Sequence, residues 1–324
     1  MTMATARYRW YERKNGISVL IATQNEEAIV ALCLLSFLEF GDELIVVDNG
    51  STDRTKEIVR DLESMYARKI KFFDVPDLPD LYHNRQYAFC KSSYRWVARV
   101  DADFVAYTDG EYNILHVRER LLSQKRSFWP GVFGVWLPNV VGDFWHTGLE
   151  QPAGGVGPND PGRYVPPPVS LPTLRIYEVF PGFKFKRLGR GEGTTFNRML
   201  RAIRTDLDRP LWMHCNLKSA RNYLFRSERT NWRELGDYTR YPTLESYVRE
   251  VIKHKYGTED IDKATQLHLQ RNVSPFLQRY DPEKYYPYPR LVREQMERNC
   301  LYKITKHNDT VRWEHFGIDP LPYV

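Results

Sequence analysis

Residues 94–104 read Tyr94-Arg95-Trp96-Val97-Ala98-Arg99-Val100-Asp101-Ala102-Asp103-Phe104. An apolar, aromatic run ends abruptly in two carboxylates one residue apart. Side chains alternate along a strand, so Asp101 and Asp103 leave on one side if the strand geometry persists. Like charges there repel, and each costs several kcal/mol if desolvated alone. Either the pair faces water or something positive sits between its members.

The chain leading to this point alternates strand and helix. Ile17 to Ala22 reads as a short apolar strand, Asn25 to Leu38 as a helix and Glu43 to Val47 as a second strand. Thr52 to Tyr66 has helical periodicity along Ile58, Val59, Leu62, Met65 and Tyr66, with Ser51 or Thr52 as its cap. Lys69 to Phe73, Asp80 to Lys91 and Tyr94 to Val100 continue as strand, helix and strand. That rhythm predicts an α/β fold with a mostly parallel sheet flanked by helices. In such sheets ligands bind beyond the carboxyl ends of the strands. Thr23, Asn25 and Glu26 follow the first strand, Asp48 to Asp53 the second, and Asp101 to Asp103 the fourth. Three loops thus bring polar groups to one edge.

Further along, a helix is predicted from Gly110 to Leu122 and a strand from Gly131 to Leu137. Between Gln151 and Pro172, 11 of 22 residues are Gly or Pro, which predicts a loop without regular structure. Residues 216–226, 243–255 and 259–271 read as helices, and the tail from Tyr280 to Val324 is rich in Pro and Tyr.

Bulk properties bound the partners. The 324 residues carry a net charge of +6, and 42% are hydrophobic, enough for a substantial core. From Lys184 to Arg233 there are 13 Lys or Arg against 4 Asp or Glu, a surplus of +9, so the rest of the chain is slightly acidic. Such a block suits a diphosphate, a nucleic acid or an anionic membrane, or else a solvated helical face. Cys33, Cys90, Cys215 and Cys300 form no C-x-x-C pair and read as free thiols in a reducing compartment. With no apolar signal-like region at the N-terminus and no run of 18 apolar residues, a cytoplasmic location is expected.

The stretches ISVLIATQNEE, ELIVVDNGSTDRTKEIV and HNRQYAFCKSSYRWVARVDADF, in that order, resemble the nucleotide-sugar half of family 2 glycosyltransferases, which have the GT-A (Rossmann-like) fold. The resemblance is clear over about residues 15–125. It implies a glycosyltransferase domain over 1–235, with a nucleotide-sugar half at 15–125 and an acceptor half at 126–235. A helical C-terminal extension over 236–324 would pack on it. The implied reaction moves a sugar from a nucleoside-diphosphate sugar, UDP-linked by preference, to a hydroxyl acceptor, with inversion expected. By the resemblance, Thr23, Asn25, Glu26 and Asp48 hold the nucleoside, and Asp48 accepts the N–H of a uracil or thymine. The family form has two acids before Gly-Ser, whereas this chain has Asp48-Asn49. Arg85 touches the diphosphate or steadies the aspartates. Asp101-Ala102-Asp103 matches the D-x-D motif, with Asp103 on a Mn²⁺ or Mg²⁺ ion and Asp101 on the ribose or a metal-bound water. Divalent cations of this kind take carboxylate and phosphate oxygens. His214 is the implied third metal ligand, with Lys218 one helical turn further on to reach a phosphate. An inverting transfer needs a carboxylate base, for which Glu192 stands first, then Asp143, with Glu150 a further candidate. Two other functions stay open: glycosylation of a hydroxylated base in DNA, and a non-catalytic carbohydrate- or nucleic-acid-binding module.

Overall fold

The computed structural model describes residues 8–76, 78–127, 129–150, 165–188, 191–195, 203–298, 302–307 and 310–315. Its first half is the expected alternation: β1 (Lys14–Thr23), α1 (Val30–Phe37), β2 (Glu43–Asp48), α2 (Thr55–Met65), β3 (Ile70–Asp74), α3 (Leu81–Lys91) and β4 (Tyr94–Asp101). β3, β2, β1 and β4 are neighbours and all parallel. β2 is buried along its whole length, and β1 over its last eight residues. That follows from apolar runs covered by helices on both faces.

The second half extends the sheet. Beyond β4 come β8 (Val169–Glu178), β6 (Gly131–Val141), β12 (Trp212–Asn216) and β5 (Phe104–Ala106), and β11 (Ile203–Asp206) pairs with β6. β8 runs antiparallel to both β4 and β6, while β12 and β11 run parallel to β6. The sheet is therefore mostly parallel, as expected, with α4 (Leu115–Ser123) following β5 in the chain. One correction concerns the Pro-Gly segment. Val169 to Pro172 belong to β8, and the ladder with β6 is irregular there, between Val135 and Leu137. A strand proline is tolerated where pairing is interrupted. Residues 151–164 of that segment, and Cys300, lie outside the described residues. Cys33, Cys90 and Cys215 are buried and form no disulfide among the described residues.

After β12 the chain forms α5 (Ala220–Leu235), α6 (Leu244–Tyr256) and α7 (Ile261–Asn272). Leu224 of α5 packs with Val248, Ile252, Ile261 and Ala264 of α6 and α7. α5 reaches nine residues past the predicted helix end and stops at Gly236, in the left-handed conformation (φ 66°) that favours glycine. The tail is not purely helical. It holds β13 (Leu277–Arg279), α8 (Arg290–Arg298) and a hairpin of β14 (Tyr302–His307) and β15 (Thr310–His315). Tyr280, Leu291, Val292 and Tyr302 share a core with Ile29, Leu32, Val105 and Met213, which joins this tail to the sheet. Among the described residues, no helix is long and apolar enough to cross a membrane.

Asp143 is a correction of role. Its side chain is fully buried in the turn between β6 and β7 (His146–Gly148). Oδ1 accepts from the Trp145 and His146 amides, both at 2.9 Å, and faces His146 Nδ1 at 2.9 Å, while Oδ2 accepts from Ile304 N at 2.8 Å. A carboxylate so enclosed cannot reach an acceptor hydroxyl, so it is not a catalytic base. It ties the C-terminal hairpin to the sheet. Replacing it strands several buried donors. Asp143→Ala should cost roughly 2–4 kcal/mol, read as a lower urea midpoint at unchanged slope. An unchanged midpoint would refute this role.

Candidate active site

The carboxyl ends of β1, β2 and β4 open into a cleft of about 370 Å³. The β1 end supplies Thr23, Gln24, Asn25 and Glu26, the β2 end Asn49, and the β4 end Asp101 and Asp103. The opposite wall is Asn222, Arg226, Arg229 and Arg233 of α5, with His214, Lys218 and Arg175 between. The loops are knitted to one another. Asn25 (φ 56°) donates its N–H to Ser51 Oγ, and its Oδ1 accepts from Thr52 N, both at 2.8 Å. Gln24 Nε2 donates to the Asn49 carbonyl at 2.6 Å.

The two aspartates do not share a partner. β4 ends at Asp101 and Asp103 lies in the turn that follows, so the strand alternation lapses between them. Asp101 is clamped by two arginines: Oδ1 by Arg85, Oδ2 by Arg175 Nη1 at 3.1 Å. Arg85 is completely buried on α3, also donates to the Leu20 and Val100 carbonyls, and does not line the cleft. Of the two roles expected for it, the structure shows the steadying of an aspartate. Each oxygen of Asp101 is thus held by a guanidinium. The carboxyl is kept below its ordinary range because Arg85 and Arg175 outweigh the cost of burial.

Asp103 is buried and meets different cations. His214 Nε2 stands 3.3 Å and Lys218 Nζ 3.5 Å from its Oδ2. Burial alone would raise its pKa, but His214, Lys218 and Arg226 hold it far below the usual range. The histidine tautomer is fixed by Asn139. Asn139 Nδ2 donates to the carbonyls of Leu137 (2.8 Å) and Pro167 (2.7 Å), so its Oδ1 must accept from His214 Nδ1 at 3.0 Å. His214 Nε2 is therefore the ring nitrogen that faces the Asp103 carboxylate.

Lys218 corrects a local expectation. It lies in the loop between β12 and α5, not one helical turn beyond His214. Its Nζ pairs with Glu26 Oε1 as well as with Asp103. Glu26 is raised to about 7 by burial, opposed by Lys218 and assisted by Asp103. Its Oε2 is buried without a partner. Asp48 departs from its expected role. It is fully buried, both its oxygens accept from Ser51, and it does not line the cleft, so it does not present a carboxylate to a base. Asn49 stands there instead. Glu192 is on β10 (Gly191–Thr194), opposite Arg187 of β9 (Phe185–Leu188), and its side chain lies outside the described residues. Glu150 is on the surface, bound to Lys284 and Tyr285.

Arg175, Asn139 and the α5 row were not anticipated. Asn222, Arg226, Arg229 and Arg233 recur at helical spacing, a signal present in the basic block once the helix is carried past 226. Arg226 Nη1 donates to Asn216 Oδ1 (3.1 Å) and Arg229 Nη1 to Gln24 Oε1 (2.7 Å), both neutral acceptors. Burial, with Arg233 and Arg226 nearby, lowers Arg229 to about 10. Five cationic side chains, Arg175, Lys218, Arg226, Arg229 and Arg233, face three carboxylates in the lining, so the cleft attracts anions.

Residues 18–113 match the family model of glycosyl transferase family 2. An uncharacterized glycosyltransferase of Rickettsia typhi is 38% identical over 89 residues, and the match spans only 27% of this chain and 27% of that protein. Among solved structures, TarS of S. aureus is 15% identical with a TM-score of 0.39, covering 80% of this chain and 44% of that one. A TarS 1–349 complex with UDP-GlcNAc is 12% identical with a TM-score of 0.37, covering 94% and 100%. A mannosyltransferase of Pyrobaculum calidifontis in complex with GDP-Man and Mn²⁺ is 17% identical with a TM-score of 0.30, covering 41% and 40%.

The Glu26 carboxyl gives a pH test. A carboxyl raised on folding binds its proton more tightly in the native state, so its contribution to stability is present at low pH and falls as pH rises from about 4.5 to about 7. Glu26→Gln removes that decline. The stability difference, wild type minus variant, should be larger at pH 5 than at pH 8 in paired denaturation curves. A difference that grows with pH would contradict it.

Proposed function

We propose that this protein is a divalent-metal-dependent glycosyltransferase using a nucleoside-diphosphate sugar. The observation that carries this reading is Asp103 and His214 facing each other across 3.3 Å at the floor of a cleft with surplus positive charge. Among the described residues no three His, Cys, Asp or Glu side chains form a metal-binding group. The donor set nonetheless fits Mn²⁺ or Mg²⁺. A carboxylate and an imidazole oriented by Asn139 supply two ligands, and such ions ordinarily complete their shell with phosphate oxygens and water. When bound, the ion would neutralise charge on the departing diphosphate.

The chain's own residues perform the remaining work. Arg226 and Lys218 lie beside Asp103 and bring positive charge to a diphosphate there. Arg85 and Arg175 hold both oxygens of Asp101 and so brace the β4 end. Asn139 fixes the His214 ring and thereby the direction of its lone pair. For an inverting transfer a carboxylate must take the acceptor proton. The buried, hairpin-tied Asp143 is unsuited, and Glu192 remains the proposed base on the strength of the sequence resemblance.

Release of nucleoside diphosphate from a panel of nucleotide sugars, with Mn²⁺ and with EDTA, tests this reading. Turnover should require metal, and should fall at least about 100-fold in Asp103→Asn and in His214→Ala. Metal-independent turnover unchanged in both variants would overturn it.

A further inference from the structure

The nucleoside end of the cleft holds two amides whose orientation is forced. Asn49 Nδ2 donates to the Leu78 carbonyl at 3.2 Å, and Asn84 Nδ2 to the Val47 carbonyl at 2.9 Å. An amide nitrogen must face a carbonyl, so in each residue the oxygen points the other way. Asn49 Oδ1 and Asn84 Oδ1 are both buried without a partner, in side chains 7% and 1% exposed, and both residues line the cleft. A buried acceptor left unpaired is unfavourable, because it has given up its bonds to water. Two such oxygens beside one cleft call for a ligand that brings N–H or O–H donors.

Their position says which part of a nucleotide that is. Asn49 follows β2 and Asn84 is bonded to Val47 of β2, whereas Asp101 and Asp103 stand at the end of β4. β1 lies between the two strands. Neighbouring strands are about 4.8 Å apart, so the two ends are about 10 Å apart. With the diphosphate at β4, the ribose falls over Thr23 and Gln24 at the β1 end, and its hydroxyls meet the unpartnered Thr23 Oγ1. The base then reaches Asn49 and Asn84.

Building on the donor reading above, we infer that Asn49 and Asn84 select guanine, so that the donor is a GDP-sugar. Guanine presents two adjacent donors, N1–H and the 2-amino group, as many as there are unpaired acceptor oxygens. Uracil and thymine offer one N–H between two carbonyls, and would set a carbonyl oxygen against an amide oxygen. On its other edge guanine carries O6 and N7, the pair that an arginine fork recognises. Arg229 and Arg233 supply guanidinium donors along the facing wall. The Asp48-Asn49 departure from the two-acid form thus becomes a specificity element. The residue that lines the cleft is the amide, while Asp48 serves the turn.

Calorimetric binding of GDP, IDP, UDP, CDP and ADP to the full chain with Mn²⁺ tests the inference without any substitution. GDP should bind at least about tenfold more tightly than UDP. IDP, which lacks only the 2-amino group, should bind about tenfold more weakly than GDP. Asn49→Ala should reduce GDP affinity about tenfold while changing UDP affinity less than threefold. UDP binding equal to or tighter than GDP, or IDP equal to GDP, overturns the guanine assignment and leaves the donor reading standing. Failure of all five to bind overturns both.

Discussion

The structure turns on how the negative charge at the end of β4 is compensated. Two aspartates cannot be buried there without cations, and the protein supplies a separate set to each. Arg85 and Arg175 take Asp101, while His214 and Lys218 take Asp103. The Asp101 set comes from α3 and β8, the Asp103 set from β12 and the loop after it, so the compensation staples both halves of the sheet to one strand end. A buried carboxylate stripped of its cations would be strongly destabilising.

The same division separates framework from chemistry. Asp101, with both oxygens on guanidiniums, has little freedom to serve a ligand. Asp103 faces the His214 imidazole across 3.3 Å, and Lys218 is shared with Glu26 and so is not committed to Asp103 alone. A positive ligand between Asp103 and His214 would find two donors already oriented. Around them Arg226 and Arg229, bonded to neutral amides, leave the cleft with positive charge to offer an anionic ligand.

Much of this was legible in the sequence, for reasons specific to particular residues. The β1, β2 and β4 runs are short, apolar and bounded by polar loops, so the sheet and the edge carrying Thr23, Glu26, Asp101 and Asp103 followed from periodicity alone. His214 came through resemblance. The partners did not come through, because they are far apart in sequence. Lys218 meets Glu26 across 192 residues and Asp103 across 115, and no local pattern encodes such pairs. Asp143 stood as a candidate base, yet the C-terminal hairpin covers it. Asp48 and Asn49 are adjacent, and only the turn geometry decides which of them faces the cleft. The α5 arginines were visible as net charge, but not as a wall, until the helix was seen to continue to Leu235.

The most direct test is electron paramagnetic resonance of Mn²⁺ bound to the protein in the presence of a nucleoside diphosphate, with histidine labelled by ¹⁵N. The account predicts a single ordered Mn²⁺ coupled to one histidine nitrogen, with the coupling lost in His214→Ala and the binding lost in Asp103→Asn. Ordered Mn²⁺ binding with no histidine coupling, or binding unchanged in Asp103→Asn, would contradict it.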